Sequence, residues 1–184
     1  QCTRREFLGT AGALSSMAWA ANSLAVGAEA SKASPAAKVR ICAIVAGAPA
    51  HRSWGTPEAK IEAAKKRLAE AEKNLGNVEF VVGQATTAEE TAQLLAKAGP
   101  NAPVLAISAS IFGLSAVMPV VFQQRRPAAV FHLPVIGGHD WCLVPRWVEE
   151  GHRVTLFNTS DFGDLERAAA LLRDPGYPRL KQRV

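Results

Sequence analysis

The sequence predicts an α/β domain in which a five-stranded parallel sheet lies between two layers of helices, a doubly wound fold of the flavodoxin-like or Rossmann-like type. Short, continuously apolar runs alternate along the chain with longer stretches whose apolar residues recur at helical spacing. The 184 residues are 48% hydrophobic and 20% charged, which suits one globular domain with appendages. This alternation is typical of parallel sheets with right-handed crossovers.

The first two strand–helix units are predicted from apolar runs and helix-capping signals. The run 39–45 predicts a strand, and Thr56-Pro57-Glu58 predicts a helix start with Thr56 as N-cap and Pro57 as the first helical residue. The helix ends at Gly76. A second strand at 78–82 precedes a helix opened by the capping box from Thr87 to Glu90. The buried side of the first helix is predicted from its spacing: Ile61, Ala64, Leu68, Ala71 and Leu75.

The remaining units follow the same alternation. Further strands are predicted at 103–108, 128–133 and 152–157. A helix at 111–124 contains Pro119, which we expect to kink it or to lie in its first turn. The helix at 140–150 shows Trp141, Val144 and Val148 on one side. The last helix is capped by residues 158–161, and its buried positions are Leu165, Ala168, Ala169 and Leu172.

The amino-terminal residues resemble a twin-arginine export signal. Arg4 and Arg5 follow a Thr and precede Phe7 and Leu8, and a weakly apolar run rich in small residues comes next. We expect residues 1–30 to be a signal peptide, 31–38 a linker, 39–173 the α/β domain and 174–184 a tail or linker to further domains. The twin-arginine translocase is then a partner, and the protein is periplasmic or extracellular.

Net charge and cysteine content limit the classes of partner and the covalent links that the sequence predicts. The formal net charge of +5 admits an anionic partner, but the basic residues are scattered along the sequence. Lys65, Lys66 and Arg67 share a helix with Glu62, Glu70 and Glu72. We therefore expect a solvated helix face and no nucleic-acid partner. Of the three cysteines, Cys2 lies before the export arginines and leaves with the signal. Cys42 and Cys142 could pair in an oxidising periplasm, but their positions inside a central strand and at a helix start favour buried free thiols, and two isolated cysteines do not predict a metal site.

The candidate ligand site lies where the strands end, because carboxyl-end loops of such a sheet share one edge. Hydroxyls, imidazoles and a carboxylate there suit a polyhydroxylated ligand. His132 is expected in the core and His152 in solvent, Asp140 is also a candidate cap for the helix that follows it, and Trp141 and Trp147 are candidates for stacking or packing. No glycine-rich dinucleotide loop or Walker loop follows the first strand. The candidate ligand-binding residues are His51, Arg52, Ser108, Ser110, Gly138, His139, Asp140, Trp141, Ser160 and Asp161.

The segment Gly138-His139-Asp140-Trp141, with residues 144–151, 159–162 and 164–165, resembles the amino-terminal region of L-fucose/L-arabinose isomerase-like proteins. The resemblance covers residues 39–173. It implies an intramolecular oxidoreductase, an aldose–ketose isomerase, whose carboxylate and His ligands to Mn²⁺ or a similar metal come from later domains. The chain begins without Met and ends before such domains, so we expect an inactive part of a longer protein, with neither metal nor cofactor in this part.

The export signal and the resemblance together imply an exported domain that serves carbohydrate recognition and assembly. A homo-oligomer is a candidate assembly, and no catalytic residue of the family can be carried over onto this chain. Two alternatives from other classes stay open. One is a lobe of a periplasmic solute-binding protein, which a hinge and a second matching lobe would indicate. The other is an exported flavodoxin-like enzyme whose small site contains His51, His139 and Asp161.

Overall fold

The computed structural model describes residues 38–47, 57–110, 112–132 and 140–174. Within these ranges the chain forms the predicted parallel sheet. The strands are β1 (Val39–Ala46), β2 (Val78–Ala85), β3 (Val104–Ser108), β4 (Ala128–His132) and β5 (Val154–Asn158). The helices are α1 (Glu58–Leu75), α2 (Ala88–Ala98), α3 (Gly113–Gln123), a 3₁₀ turn (Asp140–Leu143) that leads into α4 (Val144–Glu149), and α5 (Asp164–Leu172).

All neighbouring strands are parallel, and their order is β2-β1-β3-β4-β5. This is the flavodoxin-like order of a doubly wound sheet, which the sequence did not predict. The chain crosses from β2 over β1 to β3, so β1 and β3 flank the point where the winding reverses. Ligands of such sheets bind outside the carboxyl ends of the strands near that point.

Successive residues of each strand face opposite layers of helices. One layer of the core holds Cys42, Ile44, Ala106 and Val130 against α2, α3 and α4. The other holds Ile41, Leu105 and Phe131 against α1 and α5. Burial on both faces explains why the strands read as continuous apolar runs.

The predicted buried sides of α1 and α5 are confirmed. Ile61, Ala64, Leu68 and Ala71 of α1 are buried, and Leu75 packs partly buried against the same cluster. In α5, Leu165, Ala168, Ala169 and Leu172 are buried. The basic residues of α1 lie on its solvated face, where Lys65 pairs with Glu62 and Arg67 with Glu70.

The capping signals give a mixed result. The Thr87–Glu90 capping box is present, and Gly76 ends α1 with its amide donating to Glu72. At the start of α1, however, Pro57 is the N-cap and Glu58 the first helical residue, so the prediction of Pro57 as first helical residue is wrong; Thr56 lies outside the described residues. The carbonyl of Pro57 accepts hydrogen bonds from the amides of Lys60 and Ile61, as expected of a residue at the N-cap position.

Several boundaries differ from the predictions. Strand β2 continues to Ala85 rather than ending at Val82, because β1 pairs with it through Ala46 and because Gly83 leaves room for Leu94 of α2. Strand β5 begins at Val154 rather than at His152, and α3 ends at Gln123 with Pro119 inside it rather than in its first turn. Helix α5 begins at Asp164, later than residues 158–161 suggested, and Gly163 at its N-cap position gives no side-chain cap.

Candidate ligand site at the carboxyl edge of the sheet

The carboxyl ends of the strands form a row of polar residues. Register places Ala46 beside Ser108, Ser108 beside His132, and His132 beside Asn158. Residues in register on parallel strands project from the same face, and the apolar residues two positions earlier face α2, α3 and α4. Ser108, His132 and Asn158 are therefore aligned on one face at one edge of the sheet; we call this the carboxyl-edge row.

Exposure differs between the members of the row. Ser108 and His132 are buried, whereas Asn158 is exposed at the end of β5. The prediction of His132 as a buried histidine is confirmed. Trp141 lies next to it with 6.4 Å between ring centroids and is about a third exposed. An amphipathic aromatic side chain so placed can contact a ligand that reaches the row.

The two tryptophans of the 140–150 segment differ. Trp147 packs partly buried against the core and meets Phe122 edge-on at 5.3 Å between ring centroids. Trp141 and Cys142 are exposed, while Val144 is buried and Val148 half-buried. The prediction of a buried Cys142 is wrong, and Trp141, predicted on one side of the helix with the two valines, is more exposed than either of them. The 3₁₀ turn changes the angular spacing ahead of α4 and so carries both residues outward.

Asp140 is the best-defined polar residue of the region. Its carboxylate accepts a hydrogen bond from the amide of Leu114 at 2.9 Å, in the first turn of α3, and the amide of Ser115 also contributes. The side chain is 4% exposed, and burial raises the carboxyl pKa while these two amides lower it. Asp140 thus caps α3, so the expectation that it caps the helix following it is wrong: α4 begins without a side-chain cap.

This cap has a chemical consequence. Free amides at a helix amino terminus are what a phosphate or another anion binds in doubly wound folds. Here the protein's own carboxylate occupies the amides of α3. The carboxyl edge beside α3 is therefore suited to neutral hydroxyl-bearing groups rather than to a phosphate.

Close backbone approach marks the junction between β1 and α3. A Cβ at Gly113 would lie 2.0 Å from the carbonyl oxygen of Ala46, and one at Gly47 would lie 2.0 Å from Oγ of Ser110. Gly47 also has a φ of 113°, a value that side chains rarely adopt. Ser110 consequently packs on Gly47 at the point where the winding reverses.

Beyond β5, the predicted residues Ser160 and Asp161 are exposed. The carboxylate of Asp161 accepts from the Gly163 amide at 2.8 Å, and Thr159 donates to Asp164 at 2.6 Å. The hydrogen bond from Thr159, and then that from Arg167, lower the Asp164 pKa. These bonds shape the turn before α5.

The sequence-predicted residues thus fall into three groups. Ser108, Ser110, Asp140 and Trp141 lie around the carboxyl ends of β3 and β4. Ser160 and Asp161 follow β5 at the same edge. The other four predicted residues lie outside the described residues: His51, Arg52, Gly138 and His139.

Sequence reasoning assigned His132 to the core and included Asn158 in a carboxyl-end loop, but named neither among the candidate ligand-binding residues. The available signal was positional, since Ser108, His132 and Asn158 are each the last residue of an apolar strand. It also missed that His152 is half-buried and stacked on Phe122, at 3.9 Å between ring centroids, rather than simply solvated. Cys42 is a buried free thiol as predicted, and burial raises its pKa to about 11 against the opposing charge of Arg126.

No protein-family model, curated protein or solved structure matches this chain. Within the described ranges, no three His, Cys, Asp or Glu residues come together as a metal site. Among the helices of those same ranges, none is long and apolar enough to cross a membrane.

Proposed function

We propose that this domain recognises a carbohydrate at the carboxyl edge of its sheet, as part of an exported protein of the L-fucose/L-arabinose isomerase-like kind. One observation carries the proposal: the row Ser108–His132–Asn158 lies beside exposed Trp141, while Asp140 occupies the amides of α3. Hydroxyl, imidazole and amide groups exchange hydrogen bonds with sugar hydroxyls, and an indole covers the apolar face of a sugar ring.

The preference for a neutral ligand supports a free sugar over a sugar phosphate at this edge. A phosphate approaching α3 would meet the Asp140 carboxylate and would have to displace it. The larger protein would then supply the Mn²⁺ or similar ion and the isomerase chemistry from other domains. Subunit assembly in a homo-oligomer, with this domain as one contributor, belongs to the same proposal.

Isothermal titration tests the carbohydrate site. The protein is titrated with pentoses and 6-deoxyhexoses, with and without Mn²⁺. We expect a sugar to bind without Mn²⁺, because the hydroxyl, imidazole and amide groups of the row can hydrogen-bond a sugar directly. Trp141→Ala should weaken sugar binding by at least about tenfold, the loss of one stacking contact and its buried area. Trp147→Phe is the matched control, since Trp147 packs on Phe122 away from the row.

Heat from no sugar would contradict the proposal, and so would equal weakening by Trp141→Ala and Trp147→Phe. Retention of native circular dichroism in both variants separates loss of binding from loss of fold.

We also propose export by the twin-arginine pathway. Support comes from the Arg4–Arg5 pair followed by Phe7 and Leu8, which lie outside the described residues. Replacement of Arg4 and Arg5 together by Lys should leave the precursor in the cytoplasm, measured by cell fractionation. Recovery of that double variant in the periplasm at the level of the unaltered protein would contradict this assignment.

A further inference from the structure

A cavity of about 370 Å³ opens at the opposite edge of the sheet. Its position follows from the strand starts: the amide of Ala128 in β4 donates to the Arg153 carbonyl at 2.8 Å, and that of Val104 in β3 donates to Pro127 at 2.9 Å. The cavity therefore lies where β4 and β5 begin, remote from the carboxyl-edge row. We call it the amino-edge cavity, and it is lined by Phe122, Arg125, Arg126, Gly151, His152 and Arg153.

Arg126 has a structural role in the wall of this cavity. It is 6% exposed, and its guanidinium donates to the carbonyls of Gly99 at 2.7 Å and of Ala102 and Leu95 at 3.2 Å. These carbonyls lie at and just beyond the end of α2, the negative end of the helix dipole. The remaining contact is with the Gln124 amide oxygen at 2.9 Å.

Arg125 and Arg153 are the other two arginines that line the cavity. Arg153 donates one hydrogen bond to the Arg125 carbonyl. Neither residue, nor Arg126, takes part in any of the ion pairs formed among the described residues. Glu150 is the acidic neighbour of the cavity, but it hydrogen-bonds Arg146 at 2.8 Å and lies 3.8 Å from Nε2 of His152. The cavity wall therefore carries an excess of positive charge.

The backbone of Arg125 gives independent evidence. Its φ is 54°, and within the described ranges it is the one residue other than glycine with a positive φ. The Arg125 amide donates to Phe122 and the Arg126 amide donates to Val121, which is the Schellman arrangement at the end of α3. Glycine is the usual residue at this position. Arginine there costs backbone strain, which a turn alone does not require.

An aromatic pair forms another part of the wall. The rings of Phe122 and His152 stack with centroids 3.9 Å apart and planes 5° from parallel. Guanidinium groups bind phosphate oxygens through paired hydrogen bonds, and a flat apolar wall accommodates the carbon part of an organic ligand. A cavity of this volume, at the lower end of small-molecule sites, suits such a ligand.

We propose that the amino-edge cavity binds a small molecule carrying a phosphate monoester, held by Arg125 and Arg153. Arg126 positions these two residues by fixing the turn between α3 and β4. The proposal does not depend on the carbohydrate site, which lies at the other edge.

Isothermal titration at constant ionic strength tests it with inorganic phosphate and glycerol 3-phosphate, and with sodium chloride as the reference. Arg125→Gly should fold, because its turn favours glycine, and should weaken phosphate binding by at least about tenfold, the value of one charge-assisted hydrogen bond. Arg67→Ala is the control: it removes the same charge from an exposed ion pair of α1 and should leave the affinity unchanged.

Saturable binding of phosphate that Arg125→Gly weakens and Arg67→Ala does not supports the site. Equal weakening by both variants would mean that phosphate senses only net charge, and would overturn the proposal. If neither inorganic phosphate nor glycerol 3-phosphate binds saturably, the proposal is also overturned. Sedimentation with phosphatidylglycerol vesicles separates the sources of phosphate: vesicle binding that Arg125→Gly abolishes, without binding of glycerol 3-phosphate, would overturn the small-molecule ligand in favour of a lipid surface.

Discussion

The two edges of the sheet differ in the charge they present, although both are formed by the same kind of strand and helix. Helices of a doubly wound fold direct their positive amino-terminal ends to the carboxyl edge and their negative carboxyl-terminal ends to the amino edge. Asp140 covers the amino end of α3, and Arg126 covers the carboxyl end of α2. Each edge thus has a buried side chain of the sign that its helix ends require.

The two edges differ in the side chains that remain besides Asp140 and Arg126, which cover the helix ends. At the carboxyl edge the groups beside Asp140 are neutral: a serine, a histidine, an asparagine and an exposed tryptophan. At the amino edge Arg125 and Arg153 remain in addition to Arg126. Helix dipoles explain one charged residue at each edge but not the two further arginines. The comparison indicates that the first edge favours a neutral ligand and the second an anion.

The largest effect is expected for a substitution at the close contact between β1 and α3, which lies at the carboxyl edge. Gly113→Ala would place a methyl group 2.0 Å from the Ala46 carbonyl oxygen, so we expect it to lower the free energy of unfolding by roughly 3 kcal/mol. Gly151→Ala at the amino-edge cavity has open space around it and should cost about 1 kcal/mol, because only its φ of 85° is unfavourable. Urea unfolding measures both. Equal losses would show that β1 and α3 are not packed this closely.

Asp140→Ala should have the next largest effect. It leaves the buried amide of Leu114 without its carboxylate acceptor, and we expect a loss of about 2 kcal/mol in unfolding free energy. Asp140→Asn keeps an acceptor oxygen and should cost less. Asp161→Ala, an exposed turn residue, is the control and should change stability by no more than about 0.5 kcal/mol. A loss for Asp140→Ala no greater than for the control would refute its capping role.

A stabilising change is expected at the amino edge. Arg125→Gly removes the strain of a side chain at a φ of 54°, so the free energy of unfolding should rise by about 1 kcal/mol in phosphate-free buffer. Chemical denaturation of the variant and the unaltered protein in parallel gives the difference. A decrease in stability would mean that the Arg125 side chain supports the fold, and the strain argument for a ligand site would fail.

The smallest expected effect concerns pH. Because burial raises the Asp140 pKa, the folded state favours the protonated form, and the contribution is fully present below the unfolded pKa and lost as pH rises through the folded one. The unaltered protein should therefore gain stability relative to Asp140→Asn as pH falls from neutral towards 4. Exposed Glu90 and half-buried Asp164, whose pKa values are lowered, act equally in both proteins and cancel. A difference that is constant with pH would contradict the burial of this carboxylate.

Much of the fold was predictable because periodicity and caps are local. The apolar runs of β1, β3 and β4 indicate strands buried on both faces, and the Thr87–Glu90 box places the start of α2. Strand order was not predictable, since it depends on contacts between distant segments. The end of β2 differed for the same reason, since pairing with β1 extends β2 past Gly83.

The candidate site was predictable to the level of an edge but not of its contacts. Parallel topology alone brings Ser108, Trp141 and Asp161 to one side. That Asp140 would cap α3, 26 residues before it, depends on the path of the chain between them. The amino-edge cavity gave no motif, because Arg125 and Arg153 are separated in sequence and meet only through the pairing of β4 and β5.

The two edges of the sheet are proposed to bind different ligands, and amide chemical-shift mapping by NMR tests this central claim most directly. Uniformly labelled protein is titrated separately with a sugar that binds by calorimetry and with glycerol 3-phosphate. We predict that the sugar shifts amides of residues 108–110, 112–114, 132, 141 and 158–160, and that the phosphate shifts residues 122–126 and 151–153. Shifts from both ligands at the same edge, or phosphate shifts centred on the first turn of α3, would contradict the account.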